Sequence, residues 1–287
     1  MPAKIIDGKK ISEAILAELK KQVSELKENG IQPCLAVLLV GNNTASALYV
    51  QKKEAACNAL GIKSIKIELE ETATEKALLQ KIKELNENSE VHGILVQLPL
   101  PKQIERNKVL QSIAPEKDVD GFTAENLGML ALGIEELVSC TALGIIKLID
   151  STGIELKGKN CCIVNHSIVV GRPLMLLLLN RNATVVVCHE FTKNLSDFTK
   201  SADVLISAVG MPSLIKKEMV KQGAIVIDAG IARFEGKVVG DVDFNSVKGT
   251  ASFITPVPGG VGPMTVACLM LNTVKAAERA LPKNLLI

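Results

Sequence analysis

The chain of 287 residues has no tryptophan, one tyrosine and six phenylalanines. Its core therefore cannot rest on stacked rings and must be built from Val, Ile, Leu and Ala, within a hydrophobic content of 47%. Such a composition suits parallel strands covered by helices on both faces. Net charge is nearly absent, at +2, too little to indicate nucleic acid or a membrane surface as partner. Apolar runs such as Cys34–Val40 and Leu174–Leu179 fall far short of the roughly 20 residues of a membrane helix. The seven cysteines show no CxxC spacing, which fits neither a disulfide framework nor a zinc site, and no metal is expected. Cys161 and Cys162, neighbours in an apolar run, read as small buried residues. Met1 to Asp7 carry no secretory apolar core, so a reducing cytoplasm is the expected setting.

What is present is alternation of strand and helix signals. Lys9 to Glu28 has helical period, and Cys34 to Val40 reads as a buried strand. Gly41-Asn-Asn-Thr44 supplies turn and cap residues for a helix ending near Gly61. A strand over Ile62 to Leu69, a helix over Thr74 to Asn86 and a strand over Val91 to Leu98 follow, the last stopped by Pro99-Leu-Pro101. A second system has strands at Cys161 to Val164, Ala183 to Cys188, Val204 to Ala208 and Ala224 to Asp228, with a helix opened by Arg172-Pro173. The pattern predicts an α/β fold with parallel sheets, in two domains divided between Ala131 and Leu143.

Five strings carry chemistry. Pro256-Val-Pro-Gly-Gly-Val-Gly-Pro-Met-Thr265 combines three glycines with three prolines, giving a stiff loop that a ligand can approach closely. Tyr49 and Lys53 are four apart on a predicted helix, so they share a face. Gln97 is the polar residue in the apolar strand before Pro99, and a buried amide needs partners. Asp120, in Lys117-Asp-Val-Asp-Gly-Phe122, could accept two parallel N–H bonds from a heterocycle with a guanidine-like edge. Val170-Gly-Arg-Pro173 opens the helix of the second system. By spacing alone Tyr49 and Lys53 read equally as a surface pair, Gln97 as a structural amide, and Asp120 as a turn residue.

Taken together and in this order, the five strings resemble the bifunctional methylenetetrahydrofolate dehydrogenase/cyclohydrolase family over essentially the whole chain. The resemblance implies a folate-binding catalytic domain over 1–139 and a Rossmann-type NAD(P)-binding domain over 140–263. The final helix, 264–287, would pack back on the first domain, and folate would lie in the cleft between domains. It implies oxidation of 5,10-methylenetetrahydrofolate followed by hydrolysis to 10-formyltetrahydrofolate, in a homodimer. Lys53 would be the general acid/base, held by Gln97, with Tyr49 stacking on the aminobenzoyl ring and Asp120 gripping the pterin. Val96, Leu98, Pro258, Gly259 and Gly260 would complete the folate wall. The family often has a second lysine two residues after the catalytic one; here that place is Ala55.

The cofactor region departs from the family. Where a glycine is expected after Val164 the chain reads Asn165-His166-Ser167-Ile-Val-Val-Gly171. Asn tolerates left-handed φ, so the turn is expected to survive, with Gly171 allowing close packing. Glu190 ends the next strand, where an acid binds a ribose 2′-OH and repels a 2′-phosphate, favouring NAD. The resemblance favours NADP, with His166 and Lys193 as cations for the phosphate. Ile231 should sit by the nicotinamide ribose, or else in the core. Three rival readings stay open: a cyclohydrolase with a degenerate cofactor site, a non-catalytic folate-binding protein, and an unrelated shikimate-type dehydrogenase. Lys53 argues against a dehydrogenase-only relative, because those lack the lysine.

Overall fold

This computed structural model describes residues 2–281. The chain divides into two compact units, Ala14–Cys140 with Val266–Ile287, and Met1–Glu13 with Thr141–Thr265. Parallel pairing governs both. The N-terminal segment departs from the expected division because strand β1 (Lys4–Ile5) pairs in parallel with β11 (Phe253–Ile254), Lys4 opposite Phe253. Two-residue strands carry no alternation for sequence periodicity to detect.

In the unit around Ala14–Cys140 the sheet order is β3-β2-β4, with β2 (Cys34–Val40), β3 (Lys63–Leu69) and β4 (Gly93–Val96). β2 is central and buried along its whole length, each large aliphatic side chain there contributing about 1.5–3 kcal/mol relative to exposure. Its bounds coincide with the expected strand. Helix Thr44–Leu60 starts where the Asn43 side chain accepts the Ser46 N–H and ends at Gly61 in left-handed conformation. Helix Glu75–Glu87 is capped by Thr74. An isolated parallel bridge from Ile94 to Asp118 brings the segment bearing Asp120 alongside β4.

The other unit holds a six-stranded sheet in the order β1-β11-β8-β7-β5-β6, all pairs parallel. Its strands include β5 (Asn160–Val164), β6 (Thr184–Cys188), β7 (Val204–Ser207) and β8 (Ile225–Asp228). The chain runs from β5 out to the edge strand β6 and returns on the other side of β5 as β7. That reversal makes the carboxyl ends of β5 and β7 a topological switch point, the usual ligand position in doubly wound sheets. A hairpin of β9 (Ala232–Phe234) and β10 (Lys237–Val239) follows β8. The last helix is Val261–Glu278, with Pro263 in its first turn. Residues 266–281 group with Ala14–Cys140. The expected extension of that helix over 282–287 lies outside the described residues. Among the described residues no helix is long and apolar enough to cross a membrane.

Candidate active site

The first cluster forms at the carboxyl end of β4. Gln97 donates its backbone N–H to Leu38 O at 2.8 Å, so the ladder persists one residue beyond the strand. Pro99, joined to Leu98 by a cis bond, then has no N–H to continue it. The Gln97 side chain is oriented by its own neighbour: Nε2 donates to Leu98 O at 2.8 Å, which leaves Oε1 for Lys53 Nζ at 2.9 Å. Ser46, buried on the same helix as Lys53, donates to Leu98 O at 3.4 Å. One carbonyl therefore ties the helix and the amide together.

Burial lowers the Lys53 pKa, and the nearby Asp120 carboxylate works in the opposite direction. Asp120 is pushed up to about 6, chiefly by burial, with Lys53 opposing. At neutral pH the carboxylate is still ionised and available to N–H donors. Its neighbour Asp118 is committed elsewhere, accepting Thr123 N at 2.7 Å and Asn126 Nδ2 at 3.0 Å. Lys117, from the same string, is spent on the end of helix Glu75–Glu87, donating to Leu85 O, Asn86 O and Asn88 O at 3.1, 2.8 and 2.7 Å. Of the charged groups in that string, Lys117 and Asp118 are thus committed to the fold.

Tyr49 is half-buried, and the cation over its ring is Lys52 at 5.7 Å, while Lys53 turns to Gln97. Helical rotation separates the two lysines, Lys52 turning to the Tyr49 ring and Lys53 to Gln97. Val96 is 2% exposed and pairs with Leu38 in the sheet; its side chain belongs to the core. Leu98 is half-buried. Two residues outside the five strings hold this cluster. Cys140 donates to Val119 O at 3.2 Å, and Asn272 donates to Val119 O and Val138 O at 2.8 Å each. Asn272 follows the apolar run 266–271 in its helix, much as Gln97 ends an apolar strand.

The loop Pro256–Thr265 belongs to the other unit through its residues up to Thr265. Pro258 is exposed, Gly259 half-buried and Gly260 buried. Gly259 adopts φ +106°, a conformation L side chains rarely take, and its carbonyl accepts the Lys9 N–H at 3.0 Å. The loop's shape is thus fixed by a glycine-only backbone and an anchor from the N-terminal segment.

At the switch point the Asn165 backbone does not take positive φ, contrary to the expectation for this turn. Its side chain does the work instead. Oδ1 accepts Ser167 N at 2.8 Å, Ser167 Oγ at 2.7 Å and Gly171 N at 3.0 Å, while Nδ2 donates to Ala208 O at 2.6 Å. The asparagine staples the ends of β5 and β7, replacing glycine flexibility with hydrogen bonds. Gly171 sits against the Asn165 carbonyl with no room for a Cβ. His166 Nδ1 lies 3.6 Å from Glu190 Oε2, and both side chains are largely exposed. Arg172, also exposed, donates to His166 O at 3.1 Å. Ile231 is 52% exposed, which removes the core-packing alternative. An exposed loop bearing His166 and a helix start bearing Arg172, opposite an acid just beyond the next strand, have the character of a site for a dinucleotide's phosphates and adenosine ribose.

Comparison with known proteins places the whole chain in one family. A Bifunctional protein FolD from Aquifex aeolicus is 56% identical over 279 residues, 96% of each chain. The crystal structure of a bifunctional methylenetetrahydrofolate dehydrogenase/cyclohydrolase from Campylobacter jejuni is 51% identical, with TM-score 0.95, covering 96% of this chain and 99% of that one. A Trypanosoma brucei methylenetetrahydrofolate dehydrogenase-cyclohydrolase, solved with NADP cofactor and inhibitor, is 36% identical with TM-score 0.94, covering 98% and 99%. The tetrahydrofolate dehydrogenase/cyclohydrolase catalytic-domain model matches residues 6–120 and its NAD(P)-binding-domain model residues 139–281, and the chain belongs to that family.

Proposed function

We propose that this chain oxidises 5,10-methylenetetrahydrofolate to the 5,10-methenyl cation and hydrolyses that cation to 10-formyltetrahydrofolate. The observation that carries the reading is Lys53: a lysine with its proton affinity lowered by burial, aimed by Gln97 and beside Asp120. A solvated surface lysine has no need of an oriented amide acceptor.

In the oxidation, hydride leaves the one-carbon bridge, and the bound nicotinamide supplies the acceptor. No protein group need move a proton in that step, so positioning is the main demand. Asp120 accepts N–H bonds from the pterin edge, and Tyr49 offers a flat face to the aminobenzoyl ring. In the hydrolysis, water adds to the cationic carbon and the bond from that carbon to N5 breaks. One of the water's protons ends on N5 and the other leaves. Lys53 takes the proton from the attacking water and serves the transfer to N5. The cationic substrate further disfavours a charged lysine, keeping the base form available. The Gln97 amide holds Nζ in place.

NADP is the proposed cofactor, with Arg172 and Lys193 as cations and His166 as a further polar group beside Glu190. The exposed Glu190 is the specific observation that favours NAD. Initial rates with 5,10-methylenetetrahydrofolate and either dinucleotide test this. Faster turnover with NADP supports the proposal, faster turnover with NAD assigns control to Glu190, and hydrolysis without any oxidation leaves a cyclohydrolase alone. We further propose a cytoplasmic homodimer, on family resemblance and the absence of cysteine pairing, to be tested by sedimentation.

A further inference from the structure

Beyond β8 two buried aspartates interlock. Asp228, the last residue of that strand, accepts Gly230 N at 3.0 Å and Asp241 N at 2.9 Å on Oδ1, and Val242 N at 2.8 Å on Oδ2. Asp241 accepts Gly210 N and Met211 N, both at 2.8 Å, on Oδ1, and Ser207 Oγ and Val209 N, both at 2.6 Å, on Oδ2. The pairing is reciprocal: a Cβ on Gly230 would strike the Asp241 carboxylate, and one on Gly240 would strike that of Asp228. Ala229 N also donates to Ser207 O at 2.8 Å. Seven donors to the two carboxylates, with the Ala229 bond, thus clamp the loops leaving β7 and β8 into one body.

Those loops lie at the carboxyl ends of adjacent parallel strands, where ligands bind. They present Val209, Met211 and Ile231, 47%, 53% and 52% exposed, above a framework of buried charge. Large apolar side chains held out by so many backbone bonds need a reason other than packing. The adenosine-facing features, His166 and Glu190, belong to the ends of β5 and β6 on the other side of the switch point. We propose that the Asp228–Asp241 clasp positions the 208–211 and 229–231 loops as an apolar platform for the nicotinamide end of the dinucleotide, so that it sets affinity for that end without touching it. This rests on the dinucleotide-dependent oxidation proposed above.

Ser207→Ala removes one donor to Asp241, and Asp241→Asn opposes donor to donor. Calorimetry should give a Kd for NADPH weakened about tenfold or more in Ser207→Ala, the expected scale for a hydrogen bond to a charged group. The KM for the dinucleotide should rise while that for the folate does not. Binding of 2′,5′-ADP, which lacks the nicotinamide end, should stay at the wild-type level, as should hydrolysis of the methenyl substrate. Asp241→Asn should exaggerate the same split. An unchanged Kd for NADPH in both variants overturns the proposal, as does a parallel loss of 2′,5′-ADP binding and hydrolysis. Failure of the wild-type protein to bind either probe would instead sink the dinucleotide-dependent reading, and this proposal with it.

Discussion

Asp120 and Asp228 sit in different units, and burial pushes each up to about 6. Their surroundings differ. Asp228 receives backbone N–H groups on both oxygens, whereas Asp120 has the Lys53 ammonium, the Asp118 carboxylate and the Cys140 thiol around it. A saturated carboxylate organises its own loops. One with unused lone pairs and a cation beside it can serve a ligand. The same shift therefore marks structure in one unit and chemistry in the other, and the donor inventory separates them.

Substitution by asparagine breaks the comparison most sharply, because the two positions should respond with opposite sign. At Asp228 each oxygen already faces an N–H, so either orientation of an amide sets NH2 against a donor. Asp228→Asn should destabilise the fold near pH 4 by about 1–3 kcal/mol for each donor left unmatched, a cost that relief of its own raised pKa offsets in part above pH 6. At Asp120 the shift from 3.8 to about 6 means that the folded state disfavours the ionised form. That penalty is absent below pH 3.8, grows as pH rises to 6 and is complete above it. Asp120→Asn should remove it, stabilising the protein by up to about 3 kcal/mol at pH 8 and by little near pH 4. Activity on folate should fall in the same variant. Denaturant melts at the two pH values check both signs; a destabilised Asp120→Asn at pH 8 would contradict the comparison.

Removing the amide sharpens it further. Gln97→Leu leaves the Lys53 ammonium without its acceptor and should lower hydrolysis about 10- to 100-fold, with a smaller effect on oxidation. A smaller expected effect concerns pH. Hydrolysis should rise with pH as Lys53 gives up its proton, and burial brings that limb below the ordinary lysine range. Because the Asp120 carboxylate raises the Lys53 pKa, Asp120→Asn should move the limb of kcat to lower pH; movement upward would exclude the coupling. The smallest change belongs to the nucleotide unit. Glu190→Gln removes an exposed negative charge and should improve NADP over NAD by about fivefold, less at high salt.

Much of this was legible before the fold was known, for physical reasons. β2 could be bounded to the residue because seven apolar residues stand between Pro33 and Gly41. Gln97 announced itself as a lone amide in an apolar strand. Other features left weaker marks. β1 and β11 are two residues long and gain their order from each other. The Asn165 turn was expected to survive through backbone tolerance, and it survives through three accepted hydrogen bonds on one side-chain oxygen. The Asp228–Asp241 clasp joins residues 13 apart across a hairpin, and only the adjacent glycines, 230 and 240, hinted at crowding. Lys117 and Asp120 look alike in a motif, yet one caps a helix and the other stays available.

The most direct test of the central claim compares Lys53→Met with the wild-type protein, both activities being measured in one preparation. Positioned general acid–base groups are worth about 10²–10⁴-fold. The account predicts that hydrolysis of the methenyl substrate falls by that order while oxidation of the methylene substrate persists. Hydrolysis at the wild-type rate in a folded Lys53→Met protein would contradict it.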